Sequence, residues 1–227
     1  MQATSVLTLY RTSIGKKWIM AVTGLIGIGY VAIHMYGNLK VFQGPEYFNH
    51  YAESLRAIGA PIFMHLHLLM IARFVLLAAI ILHVWAAVTL YRQAQSARVQ
   101  TYQMKRTVQA NYAATTIRYG GVVILLFILF HLAQLTWGVV DSTFDRTNPY
   151  GNVVHAFQNP FVAIFYLIAL FALGLHLYHG AWSMFQTLGF LNRKYDPFVR
   201  GLAILLALVI PIGFAAVPLA VLFGFVQ

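Results

Sequence analysis

Residues 24–39 read GLIGIGYVAIHMYGNL, an apolar run of small and aliphatic side chains with one histidine, His34, in its second half. The run extends over 18–41, and four more of similar length follow at 66–91, 118–140, 161–186 and 202–225. A hydrocarbon core about 30 Å thick takes roughly 20 mostly apolar helical residues to cross, so all five qualify as spans. Strands of a barrel would alternate apolar and polar residues, and these runs do not, which leaves helices. The whole chain has 227 residues, of which 60% are hydrophobic and only 9% charged. It is expected to be an all-α membrane protein of one domain, 1–227, with its first four spans forming a bundle.

The basic segment ahead of the first run has the look of a signal peptide start, but the run is too long and lacks a small-residue cleavage site, so it is read as a retained helix. Cysteine is absent. That removes disulfides, thiolate-bound iron–sulfur clusters and covalently attached c-type haem. The net charge of +10 is unevenly spread. Arg11, Lys16, Lys17, Arg92, Arg98, Lys105, Arg106, Arg118, Arg193, Lys194 and Arg200 fall on one side of a five-span layout, and Lys40, Arg56 and Arg146 on the other. By the positive-inside rule the N-terminus is expected in the cytoplasm. A basic face of this kind suits anionic lipid or a docked partner, and no nucleic-acid partner is expected.

Each of the first four runs carries a histidine well inside it: His34, His83, His131 and His176, with His179 also in the fourth. A rise of 1.5 Å per residue places His34 about 24 Å and His131 about 20 Å from the cytoplasmic end, with His83 about 12 Å and His176 about 15 Å from the same face. The histidines therefore form an outer pair, His34 with His131, and an inner pair, His83 with His176. A lone imidazole in a membrane helix commonly bonds a neighbouring backbone. Four of them in two layers point instead to function, and two facing imidazoles suit the axial positions of a haem b. Gly27, Ala79, Ala87, Gly138 and Gly180 lie at helical spacing from these histidines and leave room for a macrocycle.

Haem propionates call for cationic or hydroxyl partners. Arg73, roughly 10 Å inside the second run, suits the outer haem, while Arg118, Ser13, Lys17 and Tyr91 suit the inner one. No Asp or Glu falls within the five runs, which disfavours a carboxylate proton relay or a cation transporter. The fifth run lacks histidine, arginine and carboxylate, and holds Pro211 and Pro218, as a kinked packing helix would.

The stretches TSIGKKWIMAVTGLIGIGYVAIHMYGNL (12–39), LFILFH (126–131) and HLYHGAWSMFQTLGFLNRKY (176–195) resemble the cytochrome b membrane subunit of succinate dehydrogenase and fumarate reductase, in its single-subunit, five-helix, two-haem form. The H-x-x-x-G-x-W-S pattern of 176–183 is the most specific piece. The resemblance implies His34 with His131 as axial ligands of a distal haem, and His83 with His176 of a proximal one. It leaves His179 as a neighbour of the ligand or the propionates. It also implies flavoprotein and iron–sulfur subunits docked on the cytoplasmic face of a bacterial or archaeal membrane. Electrons from succinate would pass through the two haems to a quinone, menaquinone or ubiquinone. Glu46, Tyr47, His50, Glu53, Arg56, His65 and His67 of the first outer loop are candidates for hydrogen-bonding that quinone, or form an interfacial loop of no special role; a quinone site at the cytoplasmic end near Ser13 and Arg118 is the other option. His155 reads as a surface residue of the second outer loop. The rival readings are the cytochrome b subunit of another quinone-linked dehydrogenase or hydrogenase, a His-lined metal or proton transporter, and a haem-free anchor.

Overall fold

Helix starts in this chain are marked by side chains that accept the first free backbone N–H groups, and by prolines whose missing N–H costs nothing there. The computed structural model describes residues 11–97 and 112–227, the side chains of 112–116 excepted. Thr12 opens α1 (Ser13–Leu39) by accepting from Gly15 N at 3.0 Å. A short 3₁₀ turn (Lys40–Gln43) leads into α2 (Pro45–Arg56), and α3 (His67–Ser96) and α4 (Tyr112–Leu135) follow. Asn148 and then Asn159 cap α5 (Pro149–Gln158) and α6 (Pro160–Thr187), each with proline in the first turn. The last helix is α7 (Asp196–Leu222).

No strand occurs among the described residues, and five helices, α1, α3, α4, α6 and α7, are long and apolar enough to cross a membrane. They run alternately up and down, so that one end of the bundle carries α2, α5 and the chain's last residue. This is called the cap end, and the other, where α1 starts, the open end. Arg11, Lys16, Lys17, Arg92, Arg118, Arg193, Lys194 and Arg200 all belong to the open end; Arg98, Lys105 and Arg106, and with them the middle of the expected link between the second and third spans, lie outside the described residues.

Three sequence expectations change. The third span ends at Leu135, not near residue 140, because Thr136 N and Trp137 N both turn back to Leu132 O and Gly138 adopts φ +68°. Gly138 is thus a helix-ending residue in the left-handed region, where a side chain is strained, and not part of a histidine face. The fifth span starts at Asp196, so one carboxylate does belong to a long helix. It sits in the first turn, where the helix dipole favours it, and it accepts from Trp182 Nε1 at 3.0 Å and Arg200 Nε at 2.7 Å. Trp182 of the H-x-x-x-G-x-W-S stretch therefore ties α6 to α7 at the open end. Finally, the two outer loops each contain a helix, α2 and α5.

Close packing of α7 on α6 and α1 follows from two glycines. Pro211 leaves Ala207 O without its helical donor, and that carbonyl faces Gly174, where a Cβ would lie 3.1 Å away. Gly213 likewise has Met35 of α1 where a side chain would stand. At the cap end the buried cluster joins Val41, Phe48, Val153, Val154, Phe157, Tyr166, Val217 and Val221, so α2 and α5 seal the bundle by apolar burial. Asn148 is its polar pin: its Oδ1 caps Gly151 N at 3.0 Å and accepts from Asn49 Nδ2 of α2 at 3.0 Å. Replacing Asn148 with Ala removes both bonds and is expected to cost about 1–2 kcal/mol. Faster amide exchange confined to α2 and α5 in detergent would report it; unchanged exchange there would contradict it.

Candidate functional site

Four of the long helices stand in the order α3, α1, α6, α4, each packed on the next, and α7 lies against α1 and α6. Among the described residues, α3 and α4 do not pack closely, and neither do α1 with α4 nor α3 with α6. The histidines meet across these last two, unpacked pairings. His34 of α1 and His131 of α4 have ring centroids 5.8 Å apart, with planes at 79°. His83 of α3 and His176 of α6 have centroids 6.1 Å apart, with planes at 54°. Each helix thus reaches past its packed neighbour to the helix diagonally opposite, and the open side between α3 and α4 holds a cleft of about 490 Å³ lined by Ile80, Val84, Trp85, Val88 and Leu125.

Hydrogen bonds decide which ring nitrogen is free on two of the four. Thr23 Oγ1 lies 2.7 Å from Ile19 O, to which it donates its only proton, so its 3.1 Å contact with His83 Nδ1 is a bond donated by the imidazole. Tyr166 Oη donates to Gln134 Oε1 at 2.9 Å, so His131 Nδ1, 3.2 Å away, donates to it. In the tautomer that suits these contacts, with the proton on Nδ1, both rings keep the Nε2 lone pair for a ligand. His34 is stacked on Tyr30 at 5.3 Å and touches Phe214 of α7 at 5.6 Å. Its Nε2 is 3.5 Å from Asn38 Nδ2, an amide already committed to His34 O at 2.8 Å. His176 Nδ1 is buried without a partner among the described residues.

The donor set can be tested against a haem. An iron bound to two imidazole nitrogens at about 2 Å each puts the ring centroids about 6 Å apart, the spacing of both pairs. Among the described residues no three His, Cys, Asp or Glu side chains converge to hold a metal without further ligands. Two imidazoles suffice only where a macrocycle supplies the equatorial positions. Gly24 of α1 and Gly121 of α4 flank the His83–His176 pair: a Cβ added to Gly24 would lie 3.6 Å from His83 Cε1 and 3.9 Å from its Nδ1, and one added to Gly121 4.0 Å from His176 Cε1. The residues fit the group.

No family model, curated protein or solved structure matches the chain. The site therefore rests on its own geometry. Arg118 stacks over the Tyr91 ring at 4.6 Å and joins the open ends of α4 and α3, so these two candidates come together. Ser13 is exposed in the first turn of α1, and Lys17 lines a cleft of about 330 Å³ with Trp18, Ser183, Gln186 and Thr187. Arg73 is exposed on α3 and forms no hydrogen bond or ion pair with the described residues. His179 follows one turn after His176 and joins neither ring pair. Of the small residues picked from spacing, Gly27 and Gly180 face open space, and the glycines beside the rings are Gly24 and Gly121. Thr23, Gln134, Tyr166 and Phe214 are missed by a search for histidines, cations and carboxylates. A search for any polar side chain inside an apolar run finds the first three.

At the cap end, Glu53 accepts from Arg56 Nη1 at 2.7 Å and from His65 Nε2 at 3.0 Å, which gathers three of the candidate quinone contacts; His50 is exposed on α2, and His155 is on α5, 3.6 Å from Asp141. Hydrogen bonds from His65, then Arg56, hold the Glu53 carboxyl below its ordinary range, and those from Thr143 and Thr147 do the same for Asp141 and Asp145. Groups with depressed values stabilise the fold above the unfolded values, 4.5 for the glutamate and 3.8 for the aspartates, and lose that contribution as pH falls through the folded ones. A melting series in detergent should be flat near neutrality and fall in the acid range, with Asp145→Asn flattening the fall; a fall centred at neutral pH would contradict this.

Proposed function

We propose that this chain is the haem-bearing membrane subunit of a succinate:quinone oxidoreductase, complex II, taking electrons from flavoprotein and iron–sulfur partners at its basic end and delivering them to a membrane quinone. The observation that carries the electron-transfer part is the pair of imidazole facings, 5.8 and 6.1 Å between centroids, on the two diagonals of the bundle. Succinate as the electron source rests on the resemblance of 12–39 and 176–195 to that family.

On this reading two b haems, one per pair, supply one-electron carriers at two depths of the membrane. The chain's own residues do the rest. His34, His131, His83 and His176 hold the groups, Thr23 and Tyr166 fix two of the rings, and Gly24 and Gly121 leave space beside the open-end pair. Arg118, Lys17 and Ser13 supply cation and hydroxyl partners at the open end, where eight described basic residues also favour a docked partner and a cytoplasmic orientation. Arg73 offers a cation to the cap-end group or to headgroups. The Glu53, His65 and Arg56 cluster at the cap end presents a carboxylate and an imidazole in contact, as a quinone that takes up or gives off protons requires.

Among the described residues no third His, Cys, Asp or Glu joins either imidazole pair, and paired imidazoles bind a bare cation poorly without one. Pyridine haemochrome analysis of the chain made with ample haem is expected to give two b haems. Either His83→Ala or His176→Ala should lose one, either His34→Ala or His131→Ala the other, and His179→Ala neither. Gly24→Leu or Gly121→Leu should lose the haem of His83 and His176 alone. A chain that folds but takes up no haem overturns the proposal, and co-purification with a dehydrogenase inactive on succinate would overturn the choice of substrate.

A further inference from the structure

One histidine of each pair has a hydroxyl against its Nδ1, Thr23 for His83 and Tyr166 for His131, and the phenol at the cap end is the one with a second side chain behind it. Tyr166 of α6 is 6% exposed and Gln134 of α4 is 5% exposed, so neither can exchange its partner for water. The phenol bridges two α4 residues one turn apart, accepting from His131 Nδ1 at 3.2 Å and donating to Gln134 Oε1 at 2.9 Å. Its ring is gripped edge-on by Phe127 of α4 and Phe157 of α5, each with its centroid 4.8 Å away. With its proton given to Gln134 Oε1, the phenol oxygen is left to accept from His131. At the open end the corresponding group on His83 is the Thr23 hydroxyl, bonded onward to backbone, and His176 Nδ1 has no partner among the described residues.

A histidine that ligates a metal through one nitrogen is oriented and made a stronger donor by an acceptor on its other N–H. We infer that Tyr166, backed by Gln134, is a positioning residue that holds the His131 proton on Nδ1 and thereby lowers the reduction potential of the haem shared with His34. This rests on the dihaem reading above. The two haems then differ in what backs one ligand of each: a buried phenol bonded onward to Gln134 at the cap end, a threonine hydroxyl bonded onward to Ile19 O at the open end. Phe127 against His131, and Asn38, Tyr30 and Phe214 against His34, make no second hydrogen bond to His131.

The test is a redox titration of the purified full chain, followed optically. Each haem is assigned by titrating the His83→Ala background, which keeps only the cap-end haem, and the His131→Ala background, which keeps only the open-end one. Tyr166→Phe removes one oxygen and keeps the ring, so both haems should remain while the cap-end potential rises and the open-end potential stays. Gln134→Leu should move the same haem in the same direction. Thr23→Ala should move only the open-end haem. An unchanged cap-end potential in Tyr166→Phe, an equal shift of both haems, or loss of the cap-end haem altogether overturns the inference while leaving the dihaem reading in place. A wild-type chain without haem defeats that reading, and the inference with it.

Discussion

Two imidazoles facing each other at about 6 Å across the diagonal of a helix bundle are the constraint on which the rest of this molecule depends. Helices that packed directly on one another would leave no such gap, because small residues in a membrane let backbones close up. Here close packing is reserved for the edges α3–α1, α1–α6 and α6–α4 and for α7, where Gly174 and Gly213 admit it. The diagonals stay apart. Imidazoles in hydrocarbon are costly unless their polar atoms have partners, so the proton positions imposed by Thr23 and Tyr166 are part of the same constraint.

The cap extends that logic to one end of the bundle. α2 and α5 bury Phe48, Val153, Val154 and Phe157 against α6 and α7, and Phe157 then bears on Tyr166, which bonds His131. A covering element is thus linked through two aromatic rings to a candidate ligand. The open end has no such lid among the described residues. It presents basic side chains, the Arg118–Tyr91 stack and the Trp182–Asp196–Arg200 tie.

Much of this was legible in the sequence. Hydropathy runs gave five spans, and a rise of 1.5 Å per residue gave the same histidine partners as the two ring contacts, because depth in a straight helix depends only on counting. Ends were less legible. Residues 136–140 are apolar enough to continue α4, yet Gly138 and the turn bonds to Leu132 stop it; residues 196–201 are polar enough to read as loop, yet Asp196 and Pro197 start a helix. In the sequence both cap helices have the look of loops, although Gly44-Pro45 and Asn148-Pro149 are start signals, because each helix is short and apolar on only one face. Spacing picked Gly27 and Gly180 for the histidine faces, since counting on one helix cannot show which residues of other helices stand beside a ring. Gly24, Gly121, Thr23 and Tyr166 act across helices and required the three-dimensional arrangement.

The most direct measurement is near-infrared magnetic circular dichroism of the oxidised, purified chain, which reports the axial ligands of haem iron. Two low-spin centres per chain, both with the bis-imidazole signature, are the result this account predicts. A folded chain with no haem signal, or with a high-spin or mixed-ligand centre, would contradict it.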